Sequence, residues 1–269
     1  MRIVKTPGAS LLVVEAGPKD APPILLSNSL GTSNHMWDDV AAILSDRFRV
    51  IRYDTRGHGG SLGNDRAFEI ADLAGDVVAI INALGLAKVH FAGLSLGGMT
   101  GQVLGVEEPA RLASLSLLAT SAYMPPPSAW TARAATVRAE GAQAILPATL
   151  ERWFTPGYLK RQTPQARRIA EEFARVDREG YAACCEAIAR MDLRASASRI
   201  KAHTLIIAGA DDPATPVSMA EDLHRSISGS RLIMLKPAAH LLAVEQPEKV
   251  AEHLAQHVLR CCEEGATCP

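Results

Sequence analysis

Gly93-Leu94-Ser95-Leu96-Gly97 is a Gly-x-Ser-x-Gly stretch, and its surroundings decide how it is read. Lys88-Val89-His90-Phe91-Ala92 runs into it with the β-branched and aromatic residues of a short strand. Gly98-Met99-Thr100-Gly101-Gln102-Val103-Leu104 leaves it in a form that continues as a helix. A strand, a sharp turn and a helix in that order lift the Ser95 hydroxyl above the end of a sheet. Side chains at the flanking glycines would clash as the backbone turns. The first helical turn leaves N–H groups unpaired, and these favour negative charge nearby. The pentapeptide alone also fits a tight turn with an idle serine; the flanking elements favour a nucleophile.

The chain has 269 residues, enough for one large α/β domain or a domain carrying an insert. With 48% hydrophobic and 21% charged residues it reads as globular rather than disordered. A net charge of -1 offers no basic surface for nucleic acid or an acidic membrane. No run approaches the roughly eighteen apolar residues of a membrane span. Met1-Arg2-Ile3-Val4-Lys5 enters a strand-like pattern with no signal-peptide core. The five cysteines, with Cys184-Cys185 and Cys261-Cys262 adjacent, make no disulfide framework, and a cytoplasmic setting is expected. No Cys-x-x-Cys or His spacing accompanies them, so no metal is expected. Nothing in the sequence specifies an oligomeric state.

Outward from the motif, apolar runs at Leu11 to Glu15, Pro23 to Ser27, Phe48 to Tyr53, Ala113 to Leu118, His203 to Ala208 and Arg231 to Leu235 predict strands. Met36 to Leu44 has helical spacing. Ile70, Leu73, Val77, Ile80, Ile81 and Leu84 share one helical face, which Gly85 ends. Strand and helix alternate outside the middle of the chain, which predicts a mostly parallel sheet. Pro125-Pro126-Pro127 breaks the rhythm. The division expected is a core of residues 1–121 and 200–269 and a helical cap of residues 122–199. The cap holds twelve Lys and Arg against eight Asp and Glu, the core sixteen against twenty-one. A basic cap over an acidic base suits an anionic substrate, although a solvated helical surface has the same balance. The tail from Cys261 to Pro269 is expected to be loose.

A serine hydroxyl needs a base to take its proton and a third group to orient that base. The strand at 203–208 ends in Gly209-Ala210-Asp211-Asp212-Pro213, and the strand at 231–235 in Lys236-Pro237-Ala238-Ala239-His240. Both follow the C-terminal ends of strands, where open α/β sheets place their sites. The order Ser95, Asp, His240 follows, with Asp211 and Asp212 both open as the acid. Attack on a carbonyl builds negative charge on its oxygen, which needs two backbone donors. The Leu96 N–H, just after the nucleophile, is one candidate. The Leu30 N–H, in Asn28-Ser29-Leu30-Gly31 after an early strand, is the other.

These residues resemble the α/β-hydrolase superfamily over essentially the whole chain. The implied fold is a mostly parallel sheet flanked by helices, with a helical cap inserted after the strand that follows the nucleophile helix. Leu26-Ser27-Asn28-Ser29-Leu30-Gly31-Thr32, Arg52-Tyr53-Asp54-Thr55-Arg56-Gly57-His58-Gly59, Glu151-Arg152-Trp153-Phe154-Thr155-Pro156 and Gly180-Tyr181-Ala182-Ala183-Cys184-Cys185 look like the bacterial 3-oxoadipate enol-lactonases of aromatic degradation. Asp212-Pro213-Ala214-Thr215-Pro216 adds to the match and favours Asp212 as the acid. Ser33-Asn34-His35 and the Cys-rich tail depart from the pattern without touching the catalytic positions.

The resemblance implies hydrolysis of 3-oxoadipate enol-lactone, a small anionic lactone, with no cofactor. Its carboxylate needs a cation, and Arg133, one turn beyond Trp130, is the candidate; an exposed helix arginine reads the same way. Trp130 and Trp153 are candidate pocket walls, or packing. A general carboxylesterase, another lactonase, a perhydrolase or a C–C hydrolase would use the same triad, and a non-enzymatic receptor the same fold. Serine at position 95 disfavours the dehalogenases and epoxide hydrolases, whose nucleophile is a carboxylate.

Overall fold

A computed structural model describes residues 1–63 and 67–263. Among them nine strands form one sheet in the order β1-β2-β4-β3-β6-β7-β8-β9, with β5 beside β2. The strands are β1 (Arg2–Lys5), β2 (Ala9–Ala16), β3 (Pro23–Ser27), β4 (Arg49–Tyr53), β5 (Leu62–Gly63), β6 (Val89–Leu94), β7 (Leu112–Leu118), β8 (Thr204–Gly209) and β9 (Arg231–Leu235). From β4 to β9 every neighbouring pair is parallel, while β2 pairs antiparallel with β1, β4 and β5. Each residue of β3, β6, β7 and β8 is buried, as expected of parallel strands covered on both faces. β2 instead buries Leu11 and Val13 and leaves their neighbours partly open, the alternation of a strand at the margin.

Helices α1 (Asp38–Leu44), α2 (Ile70–Ala83), α3 (Leu96–Glu107), α9 (Val217–Ser226), α10 (Leu242–Glu245) and α11 (Pro247–Glu263) belong to the sheet region. α2 buries Ile70, Leu73, Val77, Ile80 and Ile81, the face set by its apolar spacing. Its start is fixed by Glu69 and Asp72, each accepting the other's backbone N–H in a capping box. The helix expected from Met36 begins instead as a 3-10 turn over Asn34–Trp37, because the Ser33 side chain caps it at His35 N–H. α11 continues through Cys261 and Cys262, so the tail is ordered further than expected; residues 264–269 lie outside the described residues. Cys184 and Cys185 are free and buried, Cys261 is buried, and Cys262 is disulfide-bonded, which the reading of the cysteines did not anticipate.

Between β7 and β8 the chain leaves the sheet and builds α4 (Pro127–Glu140), α5 (Leu146–Trp153), α6 (Pro156–Lys160), α7 (Pro164–Ala174) and α8 (Arg178–Arg190). A bridge between Tyr123 and Asp192 and a bond from Leu193 N–H to Ala122 O at 2.8 Å close the neck of this insert. Pro127 does more than break the preceding pattern: it is the first residue of α4, where a missing N–H costs nothing. Trp153, Phe173 and Tyr181 are buried in edge-to-face contacts at 5.1 and 5.7 Å and join the apolar cluster of the sheet. α8 seats on the turn after β4 through two glycines: a Cβ on Gly57 would lie 2.4 Å from Gly180 Cα, and the reverse holds.

The turn from β6 to α3 is closely packed. A Cβ on Gly93 would lie 2.1 Å from Gly97 O, and one on Gly97 would lie 2.4 Å from Ser27 O. Both obstacles are backbone, so neither can swing away. Gly93→Ala is therefore expected to cost at least the ~1–3 kcal/mol typical of overpacking. The measurement is the urea midpoint of unfolding, which should fall; an unchanged midpoint would mean the turn has slack.

Candidate active site

Ser95 stands between β6 and α3 with φ 57° and ψ −112°, outside the regions open to an ordinary residue. The conformation is held by its neighbours. Ser95 N–H donates to Leu118 O at 2.8 Å, and Ser95 O accepts from Met99 N–H at 2.9 Å and Thr120 Oγ1 at 2.7 Å. The side chain is thereby lifted out of the strand, over the C-terminal ends of the parallel strands.

The loops after β8 and β9 meet beside it. His240 Nδ1 lies 2.9 Å from Asp212 Oδ2, with the Asp212 side chain fully buried and that of His240 nearly so. Asp212 Oδ2 also accepts from Thr215 Oγ1 at 2.6 Å, and Oδ1 from the Ala214 and Thr215 N–H groups at 2.8 and 3.0 Å. Burial opposes the charge on Asp212. The His240 charge and these hydrogen bonds outweigh burial and hold the carboxyl below its ordinary range. The stability this contributes is present above the ordinary aspartate pKa and lost as pH falls through the lowered value. Asp211 is occupied elsewhere: its N–H donates to Ala238 O at 2.9 Å, and its Oδ2 accepts from Ala238 N–H at 3.1 Å. It stitches the two loops together without reaching the imidazole.

The loop after β3 lies against the elbow, with Gly97 N–H donating to Asn28 O at 3.0 Å. Ser29 N–H donates to Met36 Sδ at 3.4 Å and Gly31 N–H to His58 Nε2 at 2.9 Å. Among the described residues, the N–H groups of Leu30 and Leu96 have no such partner. Leu96 is the first residue of α3, so its N–H also carries the positive end of the helix dipole.

A cavity of about 250 Å³ opens over these groups. Ser95, His240, Leu30 and Ser29 form its floor; Trp130, Arg133, Arg152, Trp153 and Tyr181 enclose it from the insert. Trp130 is half-buried and bonds Met124 O through Nε1 at 3.1 Å, while Trp153 is buried; both wall the cavity and pack. Arg133 is half-buried. Its Nε donates to Tyr181 Oη at 2.7 Å and its Nη2 to Thr149 Oγ1 at 2.9 Å. Burial keeps the Tyr181 phenol well above its ordinary pKa, so it is a neutral acceptor.

Arg152 was missed by the sequence reading. Its Nη2 lies 3.4 Å from the same Thr149 Oγ1, and burial together with the Arg133 charge lowers its pKa. Among the described residues neither arginine has a carboxylate partner. Two half-buried cations side by side leave a site that an anion would neutralise.

The fold and this arrangement define the class. The chain belongs to the α/β-hydrolase fold family, which it matches over residues 22–247. It is similar to two proteins of Acinetobacter baylyi, 3-oxoadipate enol-lactonase 2 at 38% identity and 3-oxoadipate enol-lactonase 1 at 36%. The matches span 91% of both chains for the former and 92% for the latter. The crystal structure of the enol-lactonase from Burkholderia xenovorans LB400 superposes with a TM-score of 0.91 at 38% identity, covering 93% of this chain and 97% of that one.

The different partners of the two aspartates give a direct test. Asp212→Asn keeps the shape but removes the charge facing the imidazole, and should lower kcat by several powers of ten. Asp211→Asn should leave kcat close to that of the native protein. Measuring turnover of both decides between them; a larger loss at Asp211 would reverse the assignment.

Proposed function

We propose that the protein is a serine hydrolase that opens 3-oxoadipate enol-lactone to 3-oxoadipate. The observation that carries the chemistry is a single cavity lined by Ser95 on its elbow and by His240 backed by Asp212. The substrate follows from the enol-lactonase relatives, whose similarity extends across the cap as well as the sheet.

Ser95 Oγ attacks the lactone carbonyl while His240 Nε2 takes its proton. Asp212 fixes the imidazole tautomer and stabilises the imidazolium. The Leu30 and Leu96 N–H groups hold the oxyanion. Collapse breaks the bond between the carbonyl carbon and the ring oxygen, which takes the proton from His240 and leaves as an enol. An enolate oxygen is a weaker base than an alkoxide and so departs more readily, and the enol it gives passes to the ketone. Water, deprotonated by His240, then cleaves the acyl-serine. No cofactor is needed. Arg133 and Arg152 receive the substrate's free carboxylate, Arg133 through a planar fork, and Trp130 and Trp153 flank the ring. A charged lactone does not cross a bilayer unaided, so the proposal puts the enzyme in the cytoplasm with the reaction that forms its substrate.

The test compares kcat/KM on the enol-lactone with that on 4-nitrophenyl butanoate. The lactone should be strongly preferred, and Ser95→Ala should abolish both activities by several powers of ten. Equal efficiencies would point to a general esterase.

Arg133→Met keeps much of the packing and removes the charge. It should cost about 2–5 kcal/mol in efficiency on the lactone, and Arg152→Met less, while both spare the uncharged ester. A constant ratio between the two substrates would place the carboxylate elsewhere.

A further inference from the structure

We propose that His58 is a positioning residue for catalysis, holding the oxyanion loop by accepting a hydrogen bond from the Gly31 N–H. The proposal rests on the reading of Leu30 N–H as an oxyanion donor. His58 belongs to the turn after β4 and is buried beneath the loop that follows β3. Its Nε2 lies 2.9 Å from Gly31 N, and its Nδ1 3.1 Å from Arg56 O. A backbone N–H can only donate and a carbonyl can only accept. One form of the ring satisfies both: a neutral imidazole with its proton on Nδ1 and a lone pair on Nε2. Burial favours the neutral form, against the Arg56 carbonyl and the Asp54 and Asp177 carboxylates.

The bond matters because of what it fixes. Two peptide planes meet at Leu30. The first carries Ser29 O and the Leu30 N–H; its carbonyl is held by Thr32 Oγ1 at 2.8 Å and Thr32 N–H at 3.2 Å. The second carries Leu30 O and the Gly31 N–H, and it is held by His58. From the other side the loop is confined by the insert: Gly31 has φ +84°, and a Cβ there would lie 2.6 Å from the Phe173 ring. His58 also faces Tyr181, with ring centroids 6.3 Å apart. With both planes held, the Leu30 N–H is aimed before substrate arrives. Preorganised donors of this kind act on the transition state rather than on substrate binding.

The experiment replaces His58 with Phe, Asn and Gln and follows hydrolysis of 4-nitrophenyl butanoate, with thermal unfolding as the control for folding. Phe fills the space without an acceptor. Asn reaches the place of Nδ1 but not of Nε2, whereas Gln offers an oxygen near Nε2. Phe and Asn should lower kcat by at least about tenfold with KM changed by less than about twofold, and Gln should stay within about threefold of native. A folded Phe or Asn variant with native kcat overturns the proposal, as does a Gln variant no better than Asn. If Ser95→Ala retains activity, the underlying mechanism fails and this proposal with it; an inactive Ser95→Ala beside a fully active Phe variant removes only the role of His58. The native protein supplies a measurement free of folding defects: its ring nitrogen resonances should show Nδ1 protonated and Nε2 bare. A protonated Nε2 at neutral pH overturns the proposal.

Discussion

The backbone of Ser95 is held where a residue with a side chain does not rest by itself. Such a conformation costs on the order of 1–3 kcal/mol and persists only where surrounding contacts over-determine it. Here those contacts come from two strands and a loop. β7 supplies Leu118 O, the loop after it supplies Thr120, and β3 presses on Gly97 through Ser27. The elbow therefore locks β3, β7 and α3 against one another. The loop that offers Leu30 follows β3 directly, and β8, whose loop carries Asp212, pairs with β7.

A second set of bonds ties the histidine loop to the insert. Glu245 accepts from Ala239 N–H at 2.5 Å and, through its other oxygen, from Thr155 N–H and Oγ1 at 2.8 and 2.7 Å. Leu241 N–H donates to Trp153 O at 2.9 Å. The residues on both sides of His240 are thus bonded, directly or through one carboxylate, to the segment 153–155. The insert is then part of what positions the imidazole, and it also encloses the cavity. On the opposite side, Glu172 of α7 joins Ser33 and His35 at 2.6 and 2.9 Å, so the insert grips the loop after β3 as well.

The sheet was legible in the sequence because parallel strands buried on both faces are continuous apolar runs, and β3, β7 and β8 are of that kind. β5 was not, since two residues carry no periodicity. The elbow was legible for a local reason: its glycines, serine and flanking elements lie within seventeen consecutive residues, Lys88 to Leu104. The acid was not settled by composition, because Asp211 and Asp212 are chemically identical neighbours. What separates them is which one faces an imidazole that arrives from a later strand. Arg152 was invisible in the same way. It meets Arg133 only after α4 and α5 have packed. The excess positive charge of the insert was the wrong quantity to follow, since Arg138, Arg168, Arg190 and Arg194 are paired with carboxylates. The informative cations are Arg133 and Arg152, which line the cavity and, among the described residues, have no such partner there.

The crossing of Gly57 and Gly180 bears on how this architecture can diversify. The two backbones approach so closely that a methyl group on either would strike the other. Their spacing is a shared dimension, set jointly by two segments more than a hundred residues apart in the chain. A foreign helical insert grafted onto this sheet would have to present a glycine at the crossing, or stand away from the turn that carries His58. Variation in the insert is therefore channelled: residues facing the cavity can be exchanged singly to suit a new substrate, while the seam changes only when both sides change together.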